Sequence, residues 1–177
     1  MKPQIPTLPT THLTLRAFRL EDAPALHAIL SEKDILQYFP NPQTPTLEQT
    51  QRFITHQLEH WKNHDFGWWA VTHRDTRALL GWNGLQYLPE TDEVEVGFLV
   101  SKAYWGKGFA TEGAIASLQF GFEEHQLDAI VGIVHPKNLA SQKVLKKSGL
   151  KFTRDDEYFG MQVQRYEVEA AAFKKKK

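Results

Sequence analysis

The sequence predicts an α/β fold, because segments that alternate polar and apolar residues, as strands do, are interspersed with segments of helical periodicity. The most informative stretch is residues 93–134, where a strand, a glycine-containing loop, a helix and a second strand follow one another. The chain has 177 residues, which is enough for one substantial core and short for two. We therefore expect a single domain.

Composition excludes several classes of protein. With 21 basic and 21 acidic side chains, the overall charge does not favour nucleic acid or an anionic membrane as a partner. The chain contains no cysteine, which excludes disulfides and thiol nucleophiles. Residues 1–6 lack the apolar run that is typical of a signal peptide, and no later apolar stretch approaches the roughly 20 residues of a transmembrane helix. We expect a cytoplasmic protein with no nucleic-acid and no membrane partner.

The first half of the chain begins with a strand over residues 12–18, followed by a helix behind Asp22. Thr46 and Gln49 form a capping-box pattern that opens a second helix, which ends near Asn63. Two aromatic-rich runs and a third run of alternating residues then predict a hairpin and a further strand, over residues 66–72, 79–85 and 93–100. We expect at least two of the hairpin's aromatic residues to lie in the core: Trp68, Trp69, Trp82 and Tyr87 are the candidates.

The second half predicts a helix from Ala110 to about His125 and a strand over Ala129–Val134. A further helix spans about residues 139–148, with Gly149 as its C-cap, and two strand-like segments follow. We divide the chain into an irregular lead-in (1–9), one domain (10–170) and a disordered basic tail (171–177).

The loop of residues 105–110 has the character of an anion site. Two glycines permit backbone angles that direct several N–H groups the same way, and a helix begins at once. A tight turn without a ligand explains the two glycines equally well. A Walker loop, the phosphate site of nucleotide triphosphatases, would need a hydroxyl residue after Lys107; Gly108 stands there, so the sequence argues against that class. The fingerprint of dinucleotide-binding proteins would need glycine or alanine where Thr111 stands and an acidic residue at the end of the next strand. The chain has neither, so it does not match that class either.

The segment of residues 93–112 resembles motif A of the GNAT N-acetyltransferase superfamily, whose loop reads Gln/Arg-x-x-Gly-x-Gly/Ala. Gly108 and Ala110 match this pattern, and Trp105 departs from its first position. The run Tyr-Trp-Gly-Lys-Gly-Phe-Ala-Thr-Glu is similar to the RimJ/RimL-like branch of ribosomal-protein N-terminal acetyltransferases, as are segments at residues 13–23 and 135–141. The resemblance implies a mixed, mostly antiparallel twisted sheet, splayed between the fourth and fifth predicted strands, with helices on both faces.

The same resemblance implies acetyl-CoA as the cofactor. Its pantetheine arm would pair with the backbone of the strand that ends at Val100, and Ser141 would hydrogen-bond or protonate the thiolate. A helix-cap role explains Asn138 and Ser141 as well. The residues that we expect at the cofactor are Phe98, Leu99, Val100, Trp105, Gly106, Lys107, Gly108, Phe109, Ala110, Thr111, Asn138 and Ser141.

Strand alternation places Glu93 and Glu95 on one face, where mutual repulsion and partial burial would raise one pKa toward that of a general base. The family commonly has an acidic residue two positions before the glycine that falls on Gly97, so we expect Glu95 to be catalytic. With the role at the thiolate that the resemblance implies, Ser141 is the second residue that we expect to be catalytic. A solvated strand face is the alternative for the two carboxylates.

The acceptor stays open. An amine is implied, either a protein or peptide N-terminal α-amine or a small molecule such as a polyamine, amino acid or antibiotic; a catalytically silent acyl-CoA-binding module is a third possibility. By resemblance, Tyr38, Phe39, Tyr158 and Phe159 would line the acceptor groove, and we expect a monomer or homodimer. His56, His60 and His64 recur every four residues, but their surroundings favour a solvated or substrate-facing helix side, and we predict no metal site.

Overall fold

The computed structural model describes residues 4–174, so expectations for residues 1–3 and 175–177 lie outside the described residues. An eight-stranded sheet has the order β1-β2-β3-β4-β5-β6-β8-β7, with antiparallel neighbours except for the β5–β6 pair. The strands are β1 Leu8–Pro9, β2 Leu13–Arg16, β3 Trp68–His73, β4 Leu79–Leu88, β5 Glu93–Val100, β6 Ala129–Val134, β7 Lys151–Tyr158 and β8 Met161–Glu169.

Five α-helices accompany the sheet in the described residues: α1 Ala23–Leu30, α2 Leu47–His64, α3 Phe109–Glu123, α4 Leu139–Ser148 and α5 Ala170–Lys174. Local chemistry fixes several of their ends. Thr46 and Gln49 form the predicted capping box of α2, in which the Thr46 side chain accepts from the Gln49 N–H. Gly149 ends α4 in the left-handed conformation, as predicted. Asp22 precedes α1, but its carboxylate binds Arg16 and the Arg19 N–H and does not cap α1.

The two faces of the sheet carry different helices. Ala70 and Leu99 pack in a core cluster with the apolar residues of α1 and α2. Their neighbours in sequence alternate to the other face, where Trp69 and Val71 share a core with α3 and α4. The α/β fold with helices on both faces is therefore confirmed.

The sheet is split between β5 and β6, the fourth and fifth strands of the sequence prediction. These parallel strands are aligned at one pair of residues, Glu95 and Val131. Toward the ends of both strands, Val100 and Val134 have no such partner across the gap. The predicted splay is confirmed, and Glu95 lies at its apex.

Two expectations about the chain ends were wrong. Leu8–Pro9, predicted as part of an irregular lead-in, pairs with β2 as a short strand. Ala170–Lys174, most of which was predicted to be disordered, forms α5, because the buried Phe173 ring packs against Phe122 at 5.1 Å between centroids. The single-domain division stays a prediction. No helix within residues 4–174 is long and apolar enough to cross a membrane.

Candidate active site

A cavity of about 640 Å³ occupies the opening of the split sheet. Its walls come from the end of β5, the loop before α3, the start of α4 and the segment between α1 and α2. The lining residues are Asp34, Ile35, Gln37, Tyr38, Phe39, Phe98, Leu99, Val100, Tyr104, Trp105, Gly106, Gly108, Phe109, Ala110, Thr111, Lys137, Asn138, Leu139, Ala140, Ser141, Lys143, Val144 and Lys147. Of the twelve residues predicted at the cofactor, all but Lys107 are among them.

The loop before α3 has the backbone of an anion site. Gly106 and Gly108 adopt φ values of 76° and 79°, which disfavour other residues, and nothing lies within 4 Å of the Cβ that either lacks. Gly108 is the N-cap of α3 and offers no side chain to satisfy the first N–H groups of the helix. Those groups and the helix dipole face the cavity, so the loop fits a pyrophosphate.

Asn83, which the sequence reasoning missed, anchors this end of α3 to the sheet. Its side chain is buried, donates to the Ala110 carbonyl at 3.3 Å and accepts from the Ser117 hydroxyl at 2.8 Å. Gly113 permits the approach, because a Cβ there would lie 2.7 Å from the Asn83 amide nitrogen. A single asparagine inside an apolar strand was the signal available in the sequence.

Glu112 forms a second anchor for the start of α3. Its carboxylate accepts from the Thr10 hydroxyl at 2.5 Å and from the backbone and Nδ1 of His12 at 2.7 and 2.8 Å. Burial raises the pKa of Glu112, but these hydrogen bonds outweigh burial and leave the pKa below its usual value. The carboxylate is thus held charged between β2 and the first turn of α3.

The end of β5 presents a free strand edge to the cavity. Ser101 donates to Leu80 of β4, so by alternation the N–H and C=O groups of Phe98 and Val100 point away from β4 and into the split. The Trp105 indole, which is 54% exposed, donates to the Val100 carbonyl at 2.6 Å. The remaining groups of this edge fit an extended chain with amides of its own, such as pantetheine.

Lys107 is not among the residues that line the cavity, and its predicted place at the cofactor stays a prediction. Its ammonium lies 5.2 Å from the centre of the Tyr104 ring. The positive charge at the cavity comes from three other lysines, of which two are one turn apart on α4: Lys137, Lys143 and Lys147.

Asn138 and Ser141 meet at the start of α4 and both line the cavity. The Asn138 side chain caps the helix by accepting from the Ser141 N–H at 3.1 Å. The capping explanation therefore holds for Asn138, whereas the Ser141 hydroxyl is left to face the cavity.

Glu95 lies at the apex of the split and does not line the cavity. Burial raises the pKa of its carboxyl to about 8, against the opposing effect of a hydrogen bond from the backbone of Ile133 in β6. The residue as a whole is half-buried. A carboxyl in this state can accept a proton near neutral pH.

Glu93 differs from Glu95 because it has partners. It accepts from the Tyr158 hydroxyl and from Arg165, whose Nε lies 3.0 Å away, and Arg165 also binds Glu167 at 2.5 Å. Burial raises the pKa of Glu93, but these hydrogen bonds outweigh it and lower the pKa overall. The expectation of mutual repulsion was wrong, since burial and not Glu93 raises the pKa of Glu95.

The predicted acceptor-groove aromatics separate into two groups. Tyr38 and Phe39 line the cavity, and the Tyr38 ring stacks on His135 with 5.0 Å between ring centroids. Tyr158 is buried against Glu93, whereas Phe159 is 48% exposed in the turn between β7 and β8.

The histidines of α2 have a structural explanation. His60 bonds the Phe66 carbonyl through Nδ1 at 2.9 Å and accepts from the Tyr87 N–H through Nε2 at 3.2 Å, which fixes the neutral form with the proton on Nδ1. His56 is exposed. Within residues 4–174, no group of three histidine or carboxylate side chains is arranged to hold a metal ion.

Comparison with known proteins identifies this architecture. The family model of the acetyltransferase (GNAT) domain matches residues 12–151. The uncharacterized N-acetyltransferase YoaA of Bacillus subtilis is 28% identical over 147 residues, which cover 82% of this chain and 83% of YoaA.

Solved structures agree. An acetyltransferase from Agrobacterium tumefaciens superposes with a TM-score of 0.83 at 26% identity, over 96% of this chain and 97% of its own. RimL, a ribosomal L7/L12 α-N-protein acetyltransferase solved with coenzyme A, shares the fold with a TM-score of 0.81 at 18% identity, over 94% and 99% of the two chains. The split sheet, the glycine loop and the family match together establish that this chain belongs to the GNAT family of acetyl-CoA-dependent N-acetyltransferases.

Proposed function

We propose that the chain acetylates the α-amine at the N-terminus of a protein or peptide, with Glu95 as general base. The observation that carries the proposal is the buried Glu95 carboxyl with its pKa of about 8. An α-amino group has a pKa of about 7.7–8.0 and a lysine side chain one of about 10.4. Because proton transfer is easiest between groups of similar pKa, this carboxyl suits an α-amine better than a lysine or an alkylamine.

The fold is compatible with such a substrate. RimL, which shares it, is described as acetylating the α-amine of a ribosomal protein. Helices α1 and α2 pack on the sheet face that carries Glu95. The proposal places the peptide N-terminus at the apex of the split, beside that helix layer.

Each residue at the split has a role in this proposal. Acetyl-CoA supplies an acyl group that is activated by its thioester. Glu95 accepts the proton that the amine loses, directly or through one water molecule, as the new carbon–nitrogen bond forms. A backbone N–H at Phe98 or Val100 stabilises the acyl oxygen, and the Ser141 hydroxyl donates a hydrogen bond or proton to the thiolate as the carbon–sulfur bond breaks.

The proposal also assigns the groups that bind acetyl-CoA, the acyl donor. The N–H groups at the start of α3 and the loop of Gly106 and Gly108 hold the pyrophosphate, and the edge of β5 holds pantetheine. We leave Lys107 out of this set and add the three lysines that line the cavity.

A thiol-release assay with acetyl-CoA tests the acceptor class. We expect kcat/KM for the tripeptide amide Ser-Ala-Ala to exceed that for Nα-acetyl-lysine amide by at least about tenfold at pH 8, because the pKa values differ by about 2.4 units. A preference for the lysine amine, or no turnover of the peptide, would refute the proposal. Ser141→Ala should lower turnover of the peptide about tenfold and leave acetyl-CoA affinity unchanged.

A further inference from the structure

Two tryptophans on the α1–α2 face of the sheet have buried indole N–H groups with no hydrogen-bond partner in the described residues. They are Trp68 and Trp82, whose rings stack 5.4 Å apart with 11° between their planes. The other three tryptophans of the chain donate to backbone carbonyls: Trp61, Trp69 and Trp105. A buried donor without a partner carries an uncompensated desolvation cost, which a ligand can remove.

The Trp68 nitrogen lies over Gly97, two positions along β5 from the proposed base. Trp68 of β3 is level with Gly84 of β4, which is level with Gly97 of β5. The indole reaches across these two glycines, so that its Nε1 is 3.1 Å from the position that a Cβ of Gly97 would take. Alternation puts Glu95 and Leu99 on this same face, one on either side of Gly97.

The Glu95 side chain and the Trp68 indole lie on the same face of the sheet. Glu95 and Gly97, over which the indole lies, are two strand positions apart, which is about 6.6 Å between Cα atoms. The carbonyl oxygen of a peptide's first residue is three bonds from its α-amine, whereas a simple alkylamine has no acceptor oxygen there. The unpaired N–H therefore distinguishes the two kinds of amine.

Two phenylalanines cover the indoles. Phe39, which lines the cavity, packs edge-on against Trp82 at 6.1 Å between ring centroids, and Phe53 of α2 packs against Trp68 at 5.9 Å. The Trp68 nitrogen is out of reach of solvent in this conformation. An acceptor must therefore displace one of these rings to reach it.

We propose that the Trp68 indole N–H donates a hydrogen bond to the carbonyl oxygen of the acceptor's first residue and thereby selects α-amino carbonyl compounds over simple alkylamines. This inference rests on the proposed function, because it assumes that peptide N-termini are acceptors.

Trp68→Phe tests the inference, because phenylalanine keeps an aromatic ring and removes the N–H. The readout is the ratio of kcat/KM for the tripeptide amide Ala-Ala-Ala to kcat/KM for 2-aminobutane, both with acetyl-CoA. We expect the variant to reduce this ratio about tenfold, because it removes one hydrogen bond to a desolvated oxygen. The kcat/KM for the alkylamine and the KM for acetyl-CoA should not change.

Trp69→Phe is the matched control, since it removes an indole N–H from the next position of β3, on the other face, where the donor binds the Pro6 carbonyl. It should lower the melting temperature and leave the ratio unchanged. An unchanged ratio in Trp68→Phe, or equal losses for both acceptors, would overturn the inference while the proposed function stands. Failure of the wild-type enzyme to acetylate the tripeptide would instead refute the proposed function.

Discussion

The two sides of the split sheet are formed by different kinds of atoms. The donor side, which comprises the cavity-lining parts of residues 98–111 and 137–147, offers backbone N–H and C=O groups held in place by glycine conformations and a helix start. The proposed acceptor side, the sheet face with Glu93, Glu95 and Arg165, offers side chains from strands far apart in the chain. Backbone binding tolerates changes of side chain, whereas each substitution on the acceptor side alters chemistry or charge.

The largest expected effect is on the acceptor side. Glu95→Gln should lower kcat for a peptide acceptor about a hundredfold or more, as expected for loss of a general base, with the acetyl-CoA dissociation constant unchanged. In the wild type, kcat/KM should rise with pH through about 8 as Glu95 loses its proton. Steady-state thiol release and calorimetry measure the two quantities. Glu90→Gln, in the exposed turn before β5, is the control and should change neither.

The same variant has a consequence for stability. Because burial raises the pKa of Glu95, the folded state binds more protons than the unfolded state between pH 4.5 and about 8, so Glu95 destabilises the fold as the pH rises through that range. Glu95→Gln should raise the melting temperature at pH 8, by about 2–4 °C for each kcal/mol that ionisation of this buried carboxyl costs the folded state. The difference should vanish near pH 4.5. Equal melting temperatures at pH 8 would contradict the burial of this carboxyl.

Arg165→Met should give the next largest effect, on folding. The Arg165 guanidinium is 6% exposed and lies between Glu93 and Glu167, so its removal leaves two carboxylates close together without a cation. We expect the free energy of unfolding in urea to fall by about 3 kcal/mol. Arg154→Met, which breaks an exposed pair with Asp156, should lower it by no more than about 0.5 kcal/mol. Similar losses in both variants would mean that burial does not distinguish the two pairs.

Gly108→Ala tests the donor side. A residue with a Cβ at φ 79° is strained by about 1–2 kcal/mol, and relief of that strain moves the N–H groups at the start of α3. Acetyl-CoA affinity should fall about tenfold in calorimetric titration. Gly160→Ala introduces the same strain at φ 71° in the β7–β8 turn, and it should lower stability without changing that affinity. Equal affinity in the two variants would contradict the pyrophosphate assignment.

The smallest effect concerns His60, which lies away from both sides. Burial lowers its pKa, so the unfolded chain binds the proton more tightly, and stability present above about pH 6.5 is lost as the pH falls. The free energy of unfolding, measured by chemical denaturation, should therefore be lower at pH 5 than at pH 7. His60→Gln should flatten this slope, whereas His56→Gln, which alters an exposed position of the same helix, should leave it intact.

Sequence prediction succeeded where the physical cause is local. The glycine loop, the capping box of Thr46 and Gln49 and the Gly149 cap each express a backbone requirement within a few residues, and strand alternation did the same for β5 and β6. Resemblance to a family then supplied the splay and the donor.

It failed where partners are distant in the chain. Arg165 and Glu93 are 72 positions apart, so the ion pair that separates the roles of Glu93 and Glu95 is invisible to local patterns. The position of Trp68 above Gly97 depends on the register of three strands.

β5 and β6 are aligned only at Glu95 and Val131, and this also affects how the protein meets other molecules. A strand whose hydrogen-bonding groups are unpaired normally invites a strand from another molecule, which is why proteins shorten or charge such edges. Here the open edge of Phe98 and Val100 lies inside the molecule, flanked by α4 and by the segment that contains Tyr38. The fold thus keeps the hydrogen-bonding groups of this edge available to a ligand in the cavity and away from the outer edges of the sheet, where strands of other molecules could pair.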